Sequence, residues 1–161
     1  MMNFNSKRDY KLIALDIAWG TVALAAGCAV IYFGDRLLNV SLEVYFGIST
    51  FSPIWILDLI FVPLVAGFVV SLIYGLGGKM LAHLAPLIVR VHAYIVIDTS
   101  VFPDGVELLP LGYWILIVIV SVEAAAAGGL IGEFTMKKTY GRSPKHLIHK
   151  RYQLKNAEDV E

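Results

Sequence analysis

Cysteine and charge are both scarce in this chain. The one cysteine, Cys28, excludes an intramolecular disulfide and leaves the redox compartment open. Lys, Arg, Asp and Glu make up 16% of the 161 residues against 58% hydrophobic ones, and a mean hydropathy of +0.71 lies outside the range of soluble domains. The patterns of common enzyme chemistry are missing as well. There is no Gly-rich phosphate loop, no nucleophile elbow and no HExxH-like pair. The string Gly75-Leu76-Gly77-Gly78-Lys79 has neither the spacing of a P-loop nor its strand context. His83 and His92 are nine residues apart, on opposite faces of one helix, so they do not grip a haem from both sides. His146 and His149 share a face but have no nearby acid or cysteine, which makes a poor metal site. The expectation is a protein that is not an enzyme and has no cofactor and no metal.

What is present falls into bilayer-length blocks, which point to an all-α integral membrane protein. After a leader, residues 1–11, with Lys7, Arg8 and Lys11, the transmembrane domain covers residues 12–134, and a basic tail fills 135–161. The predicted spans are residues 12–33, 53–76, 80–97 and 111–134. Ala25-Ala26-Gly27-Cys28 loosely resembles a lipoprotein cleavage box, but Ala25 stands where Leu is preferred and the apolar run continues past the cysteine. An uncleaved first helix is the better reading. Between the first two spans, Val40, Leu42, Val44 and Phe46 alternate with polar neighbours, a period-2 pattern suited to an extended segment at the membrane surface, with a short interfacial helix as the alternative. Ser52-Pro53 reads as an N-cap followed by proline in the first turn, and Pro63 as a kink within the second span.

The third segment decides the topology. Its nine Leu, Ile and Val residues, at roughly −0.5 kcal/mol each, barely outweigh Arg90 at about +3 kcal/mol. The charge pattern nevertheless requires it to cross. With the leader inside, Lys79 returns inside, and the last 25 residues, which hold seven of the 13 Lys and Arg, belong inside too. Four spans with both termini cytoplasmic follow; three spans with this segment re-entrant are the alternative. Tyr32, Phe33, Trp55, Tyr113 and Trp114 fall near the outer boundary, where amphipathic rings favour the headgroup layer.

Inside the spans, Arg90 lies about 15 Å from one end of its helix and Glu123 about 18 Å from the opposite end of its own, so the two should meet at matched depth and pair. Asp58 and His92 form a second expected pair. These four residues are either structural locks or a proton or ion path. Asp16, about a turn inside the first span, snorkels or pairs with Lys11.

Small residues give a sharper pattern. Gly67, Ser71 and Gly75 recur every fourth position on span two, and Ala124, Gly128 and Gly132 do so on span four, which predicts close helix packing. The helix packed against these faces is either internal or part of another protein. The tail offers Lys137, Lys138, Arg142, Lys145, Lys150 and Arg151 to anionic headgroups, at about 1 kcal/mol per basic residue near the surface, or to a soluble partner.

Packing faces and one polar helix in need of neighbours, without a complete chemical site, lead to the expected function. It is a non-catalytic structural or accessory subunit of a larger inner-membrane complex, with other membrane subunits (in a hetero- or homo-oligomer) and anionic lipids as partners, and no nucleic acid. Two alternatives stand beside it: a small proton- or ion-conducting transporter built on Asp58, Arg90, His92 and Glu123, and an assembly factor that holds a client through the basic tail.

Overall fold

Ser52 and Pro53 begin a helix as expected. In the computed structural model, which describes residues 6–140, the Ser52 hydroxyl accepts from the Trp55 amide at 3.3 Å and Pro53 opens α2 (Pro53–Tyr74). Proline is tolerated there because the amide it lacks has no intrahelical partner. Around α2 stand α1 (Ser6–Leu38), the consecutive helices α3 (Gly78–Ala82) and α4 (Leu84–Val96), and α5 (Leu111–Tyr140). The stretches Ile13–Leu38, Pro53–Tyr74, Gly78–Val96 and Leu111–Thr139 are each long and apolar enough to cross a bilayer. The protein is an all-α, multi-pass membrane bundle of four spans.

The third span, formed by α3 and α4 together, is interrupted at His83. Pro86 explains the break: it has no amide to give the Ala82 carbonyl, and its ring crowds the preceding turn. The first span runs past its expected end at Phe33, through Gly34, Asp35 and Arg36 to Leu38. It stops at Asn39, whose φ of 53° turns the chain left-handed. Val40 then donates to the Asp35 carbonyl at 3.0 Å and Asn39 to the Arg36 carbonyl at 3.3 Å, which closes the helix end.

At that end of the bundle the two loops pair. β1 (Val44–Tyr45) and β2 (Glu107–Leu108) form an antiparallel ribbon in the register Val44 to Leu108 and Tyr45 to Glu107, and the Leu109 amide donates to the Glu43 carbonyl at 2.9 Å. The extended segment expected over Val40 to Phe46 is confined to this ribbon, and Gly47–Phe51 is a short 3₁₀ helix. Opposite the ribbon, the Glu133 carboxylate on α5 reaches the turn between α2 and α3, so α1 and α5 begin and end on that same side.

Three apolar layers fill the interior. Leu42, Trp55, Leu109 and Ile117 pack beneath the ribbon; Ile31, Val62, Ala66 and Ala85 form the middle; Ala23, Val70 and Ala82 form the far layer.

The small-residue faces meet inside the bundle. α2 and α5 run parallel and touch backbone to backbone: a Cβ built on Gly67 would fall into the Ala125 carbonyl, and one on Gly128 into the Leu64 carbonyl. Gly132 lies against Phe68 and Ser71. Two of the six predicted packing residues do otherwise. Gly75 has φ 82° and ends α2 rather than extending its face. Ala124 is half-buried, and its neighbour Ala125, fully buried, takes the contact.

Candidate functional site

Between the ribbon-end layer and the middle layer lies a polar one. Arg90 projects from α4 six residues before its end, about 9 Å along the axis. Its side chain is 1% exposed, and three carboxyls from three other parts of the chain surround it. Asp35 on α1 takes two hydrogen bonds, from Nη1 at 2.7 Å and Nη2 at 2.9 Å. Glu43, in the loop before β1, brings Oε1 to 3.5 Å from Nη1. Asp58 on α2, fully buried, brings Oδ2 to 3.6 Å from Nη2.

Each member is placed by local structure. Continuation of α1 past Gly34 puts Asp35 one turn above Ile31, on the inward face. The Asn39 turn and the Glu43–Leu109 hydrogen bond fold the loop back over the bundle, so that the Glu43 side chain points down into it. Asp58 occupies the same inward side of α2 as Trp55 and Val62. On α4, Pro86 and Arg90 are spaced one turn apart on the buried side.

The electrostatics are unbalanced. One guanidinium faces three carboxyls, and only Asp35 meets it in the parallel, charge-assisted geometry, with one hydrogen bond on each oxygen. Both Asp58 oxygens, Glu43 Oε1 and Arg90 Nε have no hydrogen-bond partner. Burial pushes the Glu43 carboxyl above the ordinary glutamate range, against the pull of Arg90.

Beside this cluster α1, α4 and the loop enclose an open cleft of about 650 Å³. Asp35, Glu43, Arg36 and His92 line it together with Tyr32 and Val89. The Arg36 guanidinium lies over the Tyr32 ring, 4.7 Å from its centroid.

Asp58 and Arg90 are therefore brought together, but neither expected pair forms. Arg90 does not meet Glu123. Depth along a helix gives height and not direction, and α5 turns Ser121, Ala125, Gly128 and Gly129 inward, which leaves Glu123 on the opposite side. Glu123 is exposed and has no ion pair or hydrogen bond among the described residues. His92 is exposed on the cleft wall, and Asp58 faces Arg90 instead of it. Lys137 and Lys138 are exposed in the last turns of α5; Arg142, Lys145, Lys150 and Arg151 lie outside the described residues.

Asp35 and Glu43 are the two site residues that sequence reasoning missed. A signal for Asp35 was available: Leu37 and Leu38 resume the apolar pattern behind Asp35-Arg36, so the helix had reason to continue. For Glu43 there was none, since its position depends on pairing between two loops far apart in sequence.

Comparison with family models, with curated proteins and with solved structures finds no match.

Proposed function

We propose that this chain is a non-catalytic subunit of a larger membrane assembly, and that it receives a partner's transmembrane helix on the outer face of α5. The observation that carries this reading is Glu123: a carboxyl exposed about 18 Å into α5, with no partner among the described residues. A charge at that depth in lipid costs about 3 kcal/mol. A basic or hydrogen-bond-donating side chain on a neighbouring helix removes most of that cost.

The surroundings suit a helix. Leu116, Ile119, Glu123, Ala127 and Leu130 are all exposed and follow one another at intervals of three and four residues, a stripe on one side of α5. Ala127, at its centre, leaves room for close approach beside the carboxyl. The glycine face of α5 is taken up inside the bundle, so this exposed stripe on its other side is open to a partner. Basic residues at the end of α5 agree with a bacterial inner membrane, in which that end is cytoplasmic.

A photo-crosslinking residue placed in turn at Leu116, Ile119, Ala127 and Leu130, with Ile17 and Phe33 on α1 as controls, tests the reading in native membranes. The expected result is one protein crosslinked from the α5 positions and not from α1, through a span that carries Lys, Arg, His, Asn or Gln. Adducts to a second copy of this chain would make the assembly homomeric. Crosslinks to lipid alone at all four positions would overturn the proposal.

A further inference from the structure

The cleft beside Arg90 is independent of the α5 face and has a chemistry of its own. Two carboxyls, Asp35 and Glu43, line it together with Arg36 and His92. Glu43 is 4% exposed and belongs to the cleft lining, and its inner oxygen, Oε1, stands 3.5 Å from Arg90 Nη1 without a hydrogen bond. Behind it the fully buried Asp58 is equally short of donors. Against three carboxyls the protein supplies one guanidinium, so the site has capacity for a further hydrogen-bonding cation.

The nature of that cation follows from the rest of the lining. No three His, Cys, Asp or Glu side chains among the described residues are arranged to hold a metal ion, and Arg90 sits among the carboxyls where one would be. At about 650 Å³ the space is that of a small organic group, and Tyr32 and Val89 supply apolar wall. Arg36 adds a fixed positive charge, which answers a negative group on the same ligand. The cleft lies between two spans in their last turns before the ribbon, and lipid headgroups stand at the ends of apolar spans of bilayer length.

We infer that the cleft binds a primary ammonium carried next to a phosphate, the phosphoethanolamine unit of an aminophospholipid headgroup, with Glu43 and Asp35 taking the ammonium and Arg36 with His92 the phosphate.

The test is lipid retention by the full-length protein in mild detergent, read by native mass spectrometry after incubation with phosphatidylethanolamine, phosphatidylcholine or phosphatidylglycerol of identical acyl chains. Choline keeps the charge but has no N–H to donate, and glycerol has no cation. Phosphatidylethanolamine is expected to be retained about tenfold better than the other two, the equivalent of one charge-assisted hydrogen bond. Glu43→Gln should reduce that preference to near parity. Arg36→Gln, at the rim and away from the Arg90 cluster, should weaken retention without lowering the Tm, so the inference stays testable if Glu43→Gln fails to fold. Soluble phosphoethanolamine provides the other arm: binding that depends on Glu43, with no retention of the lipid, would keep the ammonium–phosphate chemistry and make the source soluble. Equal retention of ethanolamine and choline lipids, or retention indifferent to both substitutions, would overturn it.

Discussion

The Arg90 guanidinium holds the Asp35 carboxylate in a two-pronged grip, with hydrogen bonds of 2.7 and 2.9 Å. The grip ties α4 to α1, with the Arg90 side chain 1% exposed and Asp35 18% exposed at the edge of the cleft. Removal of Arg90 leaves the buried Glu43 and Asp58 carboxyls, and Asp35 beside them, without their cation, and breaking a buried ion pair from one side typically costs about 3–5 kcal/mol. Arg90→Met is therefore expected to lower unfolding stability in detergent by that amount, with three carboxyls left facing one another. Arg90→Lys keeps the charge but not the fork, and should recover only part of the loss. The double variant Arg90→Met with Asp35→Asn should be more stable than the sum of the single losses predicts, since it removes both ends of the grip. Thermal unfolding of the set checks this; strictly additive losses would mean that the two residues do not stabilise the bundle through each other.

A pH dependence follows from Glu43. It faces Asp35 from α1, Asp58 from α2 and Arg90 from α4, and shares the cleft with Arg36 and His92. Burial raises its pKa in the folded chain above the unfolded value of about 4.3. The folded state thus holds a proton that the unfolded state releases. This contribution to stability is complete below the unfolded pKa and is lost as pH rises through the folded one. Stability should fall on going from acid towards neutral pH, and the fall should be smaller in Glu43→Gln, which is neutral in both states. Denaturation midpoints measured across the range, with wild type and variant compared at each pH, isolate this term from the other carboxyls. A midpoint difference that does not change with pH would count against it.

The spans were legible in the sequence because bilayer length, apolar composition and the bias of Lys and Arg act on whole segments, where local errors average out. The cap at Ser52 and the close-packing residues Gly67 and Gly128 were legible for a different reason: each acts through its own backbone. Charge partners were not. Arg90 and Glu123 have similar depths, yet a helix turns about 100° per residue, so height alone leaves the facing direction undetermined. The true partners also came from places that depth cannot rank. Asp35 sat beyond the expected end of a span, and Glu43 sat in a loop that only the pairing of β1 with β2 folds over the bundle.

The parallel contact of α2 with α5 gives a steric prediction. A methyl group at Gly67 would overlap the Ala125 carbonyl, and one at Gly128 the Leu64 carbonyl; backbone does not yield as a flexible side chain does. Gly67→Ala and Gly128→Ala should each cost about 1–3 kcal/mol, as overpacking does. Gly112, in the first turn of α5, has nothing within 4 Å of an added Cβ. Gly112→Ala should be neutral or stabilise by up to about 1 kcal/mol through helix propensity. The contrast is read by unfolding in one detergent, and equal effects at Gly67 and Gly112 would rule out a close α2–α5 contact.

Glu133 closes the opposite end of the molecule. Its Oε1 accepts from the Gly77 amide at 2.8 Å and the Lys79 amide at 3.0 Å, so a side chain of α5 caps the short helix α3 across the bundle. α3 needs this help: Gly77, in the N-cap position, offers no side chain, and five residues are too few to hold a helix alone. A carboxylate there also meets the positive end of the helix. Loss of a cap costs about 1 kcal/mol in most settings. Glu133→Gln keeps an acceptor oxygen and should lose well under that, while Glu133→Ala should lose all of it and free the turn between α2 and α3. Amide hydrogen exchange at Gly77 and Lys79 gives the direct reading: both should exchange faster in Glu133→Ala and stay protected in Glu133→Gln. Unchanged exchange in the alanine variant would show that the turn is held by something other than this carboxylate.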